Sequence, residues 1–100
     1  MARMRYEIEL APEAIQDLKR LKANLRAQVK TAMETHLRHE PTKTSKSRIK
    51  RLRGVSKPQD RLRADEVRVF YDVSKRNVEV LAIVMKADAQ AWLAKAGERS

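Results

Sequence analysis

Two stretches of the chain alternate apolar and polar residues with a period of two, which is typical of β-strands with one buried face. In Tyr6–Leu10 the apolar residues alternate with glutamates, and Val67–Val73 repeats the pattern. Val78–Met85 is apolar almost throughout, as a central strand covered on both faces would be. Two shorter segments, Ile49–Arg53 and Arg61–Ala64, are predicted to be strands as well.

A helical spacing of three to four residues between apolar positions replaces the alternation after the first strand and predicts two helices. Pro12 suits a first helical turn, Asn24 is a candidate cap for the second helix, and Pro41 marks its end. A last short helix is predicted from Asp88 to Ala96, with Gly97 as its stop. The apolar stripes of the first two helices are formed by Ala14, Ile15, Leu18 and Leu21, and by Leu25, Val29, Met33 and Leu37.

The predicted order of elements is β-α-α-β-β-β-β-α, and residues 1–100 are expected to form a single domain. Helices grouped early and strands grouped late favour an α+β sandwich. We expect a twisted antiparallel sheet, an N-terminal helical hairpin packed on one face of it, and a short C-terminal helix.

Positive charge is concentrated in one quarter of the sequence. Residues 43–68 hold ten basic and three acidic residues, so they carry +7 of the total formal charge of +10. A cluster of this density favours a polyanionic partner such as nucleic acid, an anionic membrane or an acidic protein, and a solvated basic surface is the structural alternative.

Several classes of protein are disfavoured by composition. The chain has no cysteine, which removes disulfides and thiolate metal sites. His36 and His39 lack the further ligands that zinc needs, so we interpret them as surface residues and expect no metal and no cofactor. No apolar run approaches the roughly 20 residues that span a bilayer, and the basic start lacks a signal core, so a cytoplasmic protein is expected.

Three arginines mark the entry to the last strands. Arg61 and Arg63 are two residues apart and therefore share a strand face, and Arg68 begins the next alternation. A guanidinium stays charged and can donate two hydrogen bonds to one phosphate, so the three arginines predict a phosphate-binding surface. The alternatives are a solvated strand face for Arg61 and Arg63, and an ion pair with Asp72 for Arg68.

The stretch RLRADEVRVFYDV, preceded by SRIKRLRG and followed by VEVLAIVMKADAQAWL, resembles the signature of the RelE/ParE toxins. These are the toxin halves of bacterial type II toxin–antitoxin pairs. Leu52 and Gly54 bracket the turn of the family pattern, and the run from Arg68 to Tyr71 matches its second strand. The resemblance covers nearly the whole chain and implies a RelE-like sandwich.

For function, the resemblance implies a metal-independent endoribonuclease that cleaves mRNA in the ribosomal A site and so inhibits translation. Arg61 and Arg63 fall where RelE nucleases often carry lysines, and Arg68 falls on the family's strand arginine. Lys86 lies at or beside a further basic position and is the candidate for proton transfer or leaving-group stabilisation. The residues expected to contact RNA or the ribosome are Lys43, Lys46, Arg48, Lys50, Arg51, Arg53 and Lys57.

Two alternatives stay open on the same scaffold. A ParE-like inhibitor of DNA gyrase, without catalytic activity, is favoured by arginines in place of lysines and by Trp92-Leu93 in place of a C-terminal tyrosine. A non-toxic binding or regulatory member of the family is favoured by Asp60 and Asp65, which depart from the family pattern.

The resemblance also implies partners. A cognate antitoxin is expected to wrap the basic face with an acidic segment that folds on binding. Operator DNA is expected to be bound only through the antitoxin complex, and no membrane is expected.

Three aromatic residues have both a packing and a functional interpretation. Tyr71 shares the face of Val69 and Val73 and is predicted to lie in the core. Phe70 points the other way and is suited either to stacking on a base or to packing under a helix. Trp92 is expected to anchor the last helix, with an antitoxin interface as the alternative.

Overall fold

The structure is a computed structural model that describes residues 5–55 and 57–99. Its elements follow the predicted order, with a π-helical turn continuing the second helix and a 3₁₀ turn preceding the third. They are β1 (Glu7–Leu10), α1 (Pro12–Arg20), α2 (Ala23–Ala32), the π-helical turn (Met33–Leu37), β2 (Ile49–Arg51), β3 (Asp60–Ala64), β4 (Val67–Ser74), β5 (Asn77–Met85), the 3₁₀ turn (Lys86–Asp88) and α3 (Ala89–Arg99).

The five strands form one sheet in the order β1-β5-β4-β3-β2. Strands β2 to β5 are an antiparallel meander, as predicted from the late grouping of strands. Strand β1 adds a parallel pairing with β5, so the sheet is mixed. The α1–α2 hairpin carries the chain from β1 at one edge of the sheet to β2 at the other.

The main core lies between this hairpin and one face of the sheet. Val67, Val69 and Tyr71 of β4 are fully buried there, and Val29 and Leu37 reach them from the helical side. Tyr71 therefore lies in the core, as its alternation predicts. Its hydroxyl donates a 2.6 Å hydrogen bond to the Pro41 carbonyl, which ties the end of the helical layer to the centre of the sheet.

The opposite face of the sheet is covered by α3 through an aromatic contact. The rings of Phe70 and Trp92 stack with their centroids 4.8 Å apart and their planes within 9°. Phe70 is fully buried as a result. Trp92 therefore anchors the last helix by packing, and the side chain it packs against is Phe70.

Two predicted helix ends are wrong. Helix α2 begins at Ala23 with Lys22 as its cap, so Asn24 lies inside the helix; the α1–α2 connection is only Leu21 and Lys22, both extended. Helix α3 runs to Arg99 and passes through Gly97, because glycine tolerates helical angles and stops a helix only where the following chain turns away.

Tyr71→Phe is expected to lower the free energy of unfolding by about 1–2 kcal/mol, because the buried Pro41 carbonyl loses its donor. Urea unfolding followed by circular dichroism measures the change. The control is Tyr6→Phe, since the contacts of Tyr6 with Arg38 are made by its backbone. Equal stability of Tyr71→Phe and wild type would show that the hydroxyl contributes nothing to the fold.

Candidate nucleic-acid interface

Strand register brings the three predicted arginines together on the face that carries α3. In the β3–β4 pairing Arg63 lies directly opposite Arg68, and Arg61 lies opposite Phe70. Residues paired in this way share a face, with Cβ atoms about 4.5–5.5 Å apart. Arg61, Arg63 and Arg68 are called the arginine set below. Like charges placed directly opposite destabilise a sheet, so this arrangement costs folding energy and suits an anionic ligand.

Arg68 is held rigidly within the set. Its side chain is 6% exposed, and one guanidinium nitrogen donates to the carbonyls of Asp65 at 2.8 Å and Val67 at 3.1 Å. Burial, then the charge of Arg63, lowers the pKa of Arg68, and Glu66 opposes this. Asp72 does not pair with Arg68. One carboxylate oxygen of Asp72 accepts a hydrogen bond from the backbone N–H of Gln59, and the other faces Lys57.

Arg61 is half-buried and incompletely satisfied. Its Nε atom is buried with no hydrogen-bond partner. Burial, then Arg68 and Arg63, lowers the pKa of Arg61. Within residues 5–55 and 57–99, the ion pairs of the structure include no carboxylate partner for any member of the arginine set. The three cations therefore repel one another, and a bound phosphate would relieve that repulsion.

Lys86 lies at the same end of the sheet as Arg63 and Arg68. It is exposed, follows β5 directly, and its backbone N–H donates a 2.7 Å bond to the carbonyl of Glu66 in the β3–β4 turn. The lysine predicted from the end of the last strand is therefore placed beside the turn that Arg68 also binds.

The other basic residues are spread over the β2 edge and the loops around it. Lys43 pairs with Glu40 at 3.2 Å, and Arg51 lies 3.8 Å from Asp60. Lys57 lies 3.4 Å from Glu79, toward the other end of β4 from Arg68. Lys57 therefore lies away from Arg63 and Arg68. The remaining predicted contacts, Lys46, Arg48, Lys50 and Arg53, are exposed.

Asp60 was noted in the sequence as a departure from the family pattern, but its burial was not predicted: it is the most buried charged residue of the described chain, at 1% exposure. One carboxylate oxygen has no hydrogen-bond partner, and its ion pair is the long contact with Arg51. Burial raises the pKa of Asp60; Arg51 opposes this, and Asp72 adds to it. The signal in the sequence was the alternation itself, because Asp60 shares a face with Leu62 and Ala64.

No group of three or more histidine, cysteine, aspartate or glutamate side chains suited to a metal ion occurs among the described residues. In the same part of the chain, no helix is long and apolar enough to cross a membrane.

The fold resembles solved RelE toxins. The first comparison is the RelBE2 toxin–antitoxin complex of Mycobacterium tuberculosis, with a TM-score of 0.72 and 23% identity over 85% of this chain and 95% of that one. A RelE–RelB complex of Pyrococcus horikoshii OT3 has a TM-score of 0.67 and 20% identity over 83% of this chain and 97% of that one. A mutant of the E. coli toxin RelE in the free state has a TM-score of 0.57 and 22% identity over 96% of this chain and 98% of that one.

The family itself is shown by sequence. Residues 8–89 match the family model described as the ParE toxin of the type II toxin–antitoxin system parDE. The chain therefore belongs to the ParE toxin family of the RelE/ParE superfamily, and it is a toxin of a type II toxin–antitoxin system. None of the curated proteins matches the chain.

Arg63→Gln is expected to raise the free energy of unfolding by about 0.5 kcal/mol, because it removes the like-charge pair with Arg68. The gain should shrink as salt is added, since salt screens exposed charges. Thermal unfolding at low and high ionic strength measures both effects. Arg53→Gln is the charge-matched control, and a loss of stability in Arg63→Gln would contradict the repulsion.

Asp60→Asn is expected to be more stable than wild type at neutral pH. The raised pKa of Asp60 means that the folded state holds its proton more tightly, so wild-type stability falls as the pH rises through that pKa. The difference between the two proteins should therefore narrow below about pH 4, where the unfolded carboxyl is also protonated. Thermal unfolding measured against pH checks this, with Asp65→Asn, at an exposed position, as the control. Stability curves of wild type and Asp60→Asn that stay parallel across the pH range would contradict the prediction.

Proposed function

We propose that this toxin is a ribosome-dependent mRNA endonuclease and that the arginine set holds the scissile phosphate. The observation that carries the proposal is the meeting of three arginines on one sheet face without a carboxylate partner among the described residues. Arg63 is exposed and Arg61 is half-buried, so their guanidinium groups can reach a phosphate, and their planar donors match its oxygens. Arg68, at 6% exposure, adds a fixed positive charge beside them.

The proposed reaction is attack of a ribose 2′-hydroxyl on the adjacent phosphate. The P–O bond to the next nucleotide breaks, which leaves a cyclic phosphate on one product and a 5′-hydroxyl on the other. Negative charge gathers on the non-bridging oxygens in the transition state, where preorganised cations stabilise it. Arg68 supports this role best, because its two backbone hydrogen bonds fix its position before substrate arrives.

The proton transfers need a different residue. A proton must leave the 2′-hydroxyl and another must reach the departing 5′-oxygen. Arginine is a poor proton acceptor near neutral pH. Lys86 is exposed beside the turn bound by Arg68, so we assign it to stabilising or protonating the leaving oxygen. In this mechanism neither a metal nor a cofactor takes part.

The charged segment before β3 supports contact with the ribosome and mRNA. Lys46, Arg48, Lys50 and Arg53 are exposed, and they continue the positive charge of the arginine set toward the β2 edge. Phosphate contacts of this kind carry affinity and orientation rather than sequence information.

A cognate antitoxin is the proposed regulator. Two of the similar solved toxins are in RelB complexes, from M. tuberculosis and P. horikoshii. An acidic segment that folds on the basic face would neutralise the arginine set and exclude mRNA from it. Operator DNA would then be bound by the complex through the antitoxin.

Inhibition of DNA gyrase is the second candidate, and two observations favour it. The matching family model is described for ParE toxins. In addition, Arg61 and Arg63 occupy positions where RelE nucleases carry lysines, so the site binds phosphate better than it moves protons.

Arg61→Gln/Arg63→Gln is expected to reduce cleavage of mRNA on programmed ribosomes by about 100-fold or more, because two cations leave the transition state. Primer extension on the mRNA measures the cut, with a ribosome-free sample alongside. Lys75→Gln/Arg76→Gln is the matched control, since it removes the same charge from the β4–β5 turn at the far end of the sheet.

Cleavage undiminished in the arginine variant would contradict the site. Intact mRNA with the folded wild-type protein, together with inhibition of DNA supercoiling by purified gyrase, would replace the nuclease with the gyrase inhibitor.

A further inference from the structure

A polar groove lies between α2, its π-helical turn and the ends of β2 and β3, on the side of the sheet that carries the helical hairpin and across the β3–β4 turn from the arginine set. Its larger part has a volume of 510 Å³, and the adjoining part has 260 Å³. Thr35, His36 and Arg48 line both parts, so the two are continuous. Gln28 and Thr31 extend the larger part with an amide and a hydroxyl. Such a lining suits a ligand with many hydrogen-bonding oxygens.

His36 is at the centre of the groove. It lies on the π-helical turn Met33–Leu37 and is half-buried. Turns of this kind inside helices often occur at functional sites. Burial, then the charge of Arg48, lowers the pKa of His36. Both effects favour the neutral imidazole, and a bound anion would oppose them.

Arg48 is held in place from the loop before β2. The Ser45 hydroxyl accepts from the backbone N–H groups of Arg48 at 3.0 Å and Ile49 at 3.4 Å. The other charged residues that line the groove around His36 are Glu40, Lys43 and Asp65. Glu40 is paired with Lys43, and Asp65 lines only the larger part of the groove. In the adjoining part, Arg48 is therefore the charge left without an ion-pair partner among the described residues.

Two hydrogen bonds to backbone carbonyls connect the groove with the arginine set. The N–H of Arg63 donates to the carbonyl of Arg48 at 2.8 Å. Arg68 donates to the carbonyl of Asp65, whose residue lines the groove. A strand of nucleic acid held by the arginine set therefore needs only to pass the β3–β4 turn to enter the groove.

We propose that the groove is a second phosphate subsite, in which Arg48 and His36 bind the backbone of a single-stranded RNA and His36 takes up a proton on binding. This subsite rests on the proposed function for its ligand, RNA, and not for any cleavage step. Hydroxyl and amide groups at Thr31, Thr35 and Gln28 are placed to bind ribose and phosphate oxygens. The subsite would extend the RNA contact beyond the scissile phosphate.

The sign of the pH dependence follows from the geometry. An RNA phosphate between Arg48 and His36 raises the pKa of the imidazole above its value in the free protein. Affinity should then increase as the pH falls, by at most tenfold per pH unit for one proton.

The test uses the whole protein and a fluorescein-labelled, 2′-O-methylated single-stranded RNA, which cannot be cleaved. Fluorescence anisotropy gives the affinity between about pH 8 and about pH 6, the range in which histidine titrates. We expect a several-fold tighter complex at the lower pH for wild type and for the control His39→Gln. His36→Gln should lose that increase. Arg48→Gln should bind less tightly at every pH, with a salt slope smaller by about one.

A full pH response in His36→Gln would overturn the proposal, as would wild type that fails to bind the RNA. An acidic peptide such as polyglutamate that shows the same His36-dependent response would assign the groove to a protein partner instead. Absence of mRNA cleavage on ribosomes, with the His36-dependent binding intact, would overturn the nuclease and leave the subsite standing.

Discussion

The pairing register between β3 and β4 is the constraint on which the rest of the structure depends. Side chains alternate across a sheet, so a shift of one residue moves every side chain to the other face. In the observed register Leu62 pairs with Val69 beneath the helical hairpin, and Arg63 pairs with Arg68 on the opposite face. A slipped register would bury guanidinium groups under α1 and α2, and this cost selects the native pairing.

The same register holds the three positive charges of the arginine set close together, although they repel one another. Arg68 is 6% exposed between buried strands, and Arg61 keeps an unpartnered Nε atom. Burial of Val67, Val69 and Tyr71 on the other face supplies the stabilisation that offsets this repulsion. The core thus stabilises an arrangement of positive charges that is unfavourable by itself, and a bound phosphate would be attracted by the resulting positive potential.

Local patterns predicted most of the fold, because the strands and helices here are amphipathic. Alternation identified β4 and placed Tyr71 in the core, and the spacing of two between Arg61 and Arg63 placed both on one face. The parallel pairing of β1 with β5 was missed, since strand order depends on contacts between distant residues. The caps predicted at Asn24 and Gly97 are wrong: α2 begins one residue earlier, at Ala23, after the two-residue α1–α2 turn, and α3 continues through Gly97. Preferences of single residues locate helix ends only weakly.

Of the candidate site, the sequence could predict only which side chains share a face of a strand, and not which contacts they make with other elements. Whether Phe70 meets a base or a helix was open from sequence, and the stack with Trp92 depends on where α3 folds back. The burial of Asp60 and the surroundings of His36 were not predicted, because they depend on neighbours on other elements. The β3–β4 turn shows why this matters. Its Asp65 carbonyl accepts a hydrogen bond from Arg68, and Asp65 also lines the groove of His36, so one short turn connects the arginine set to the groove.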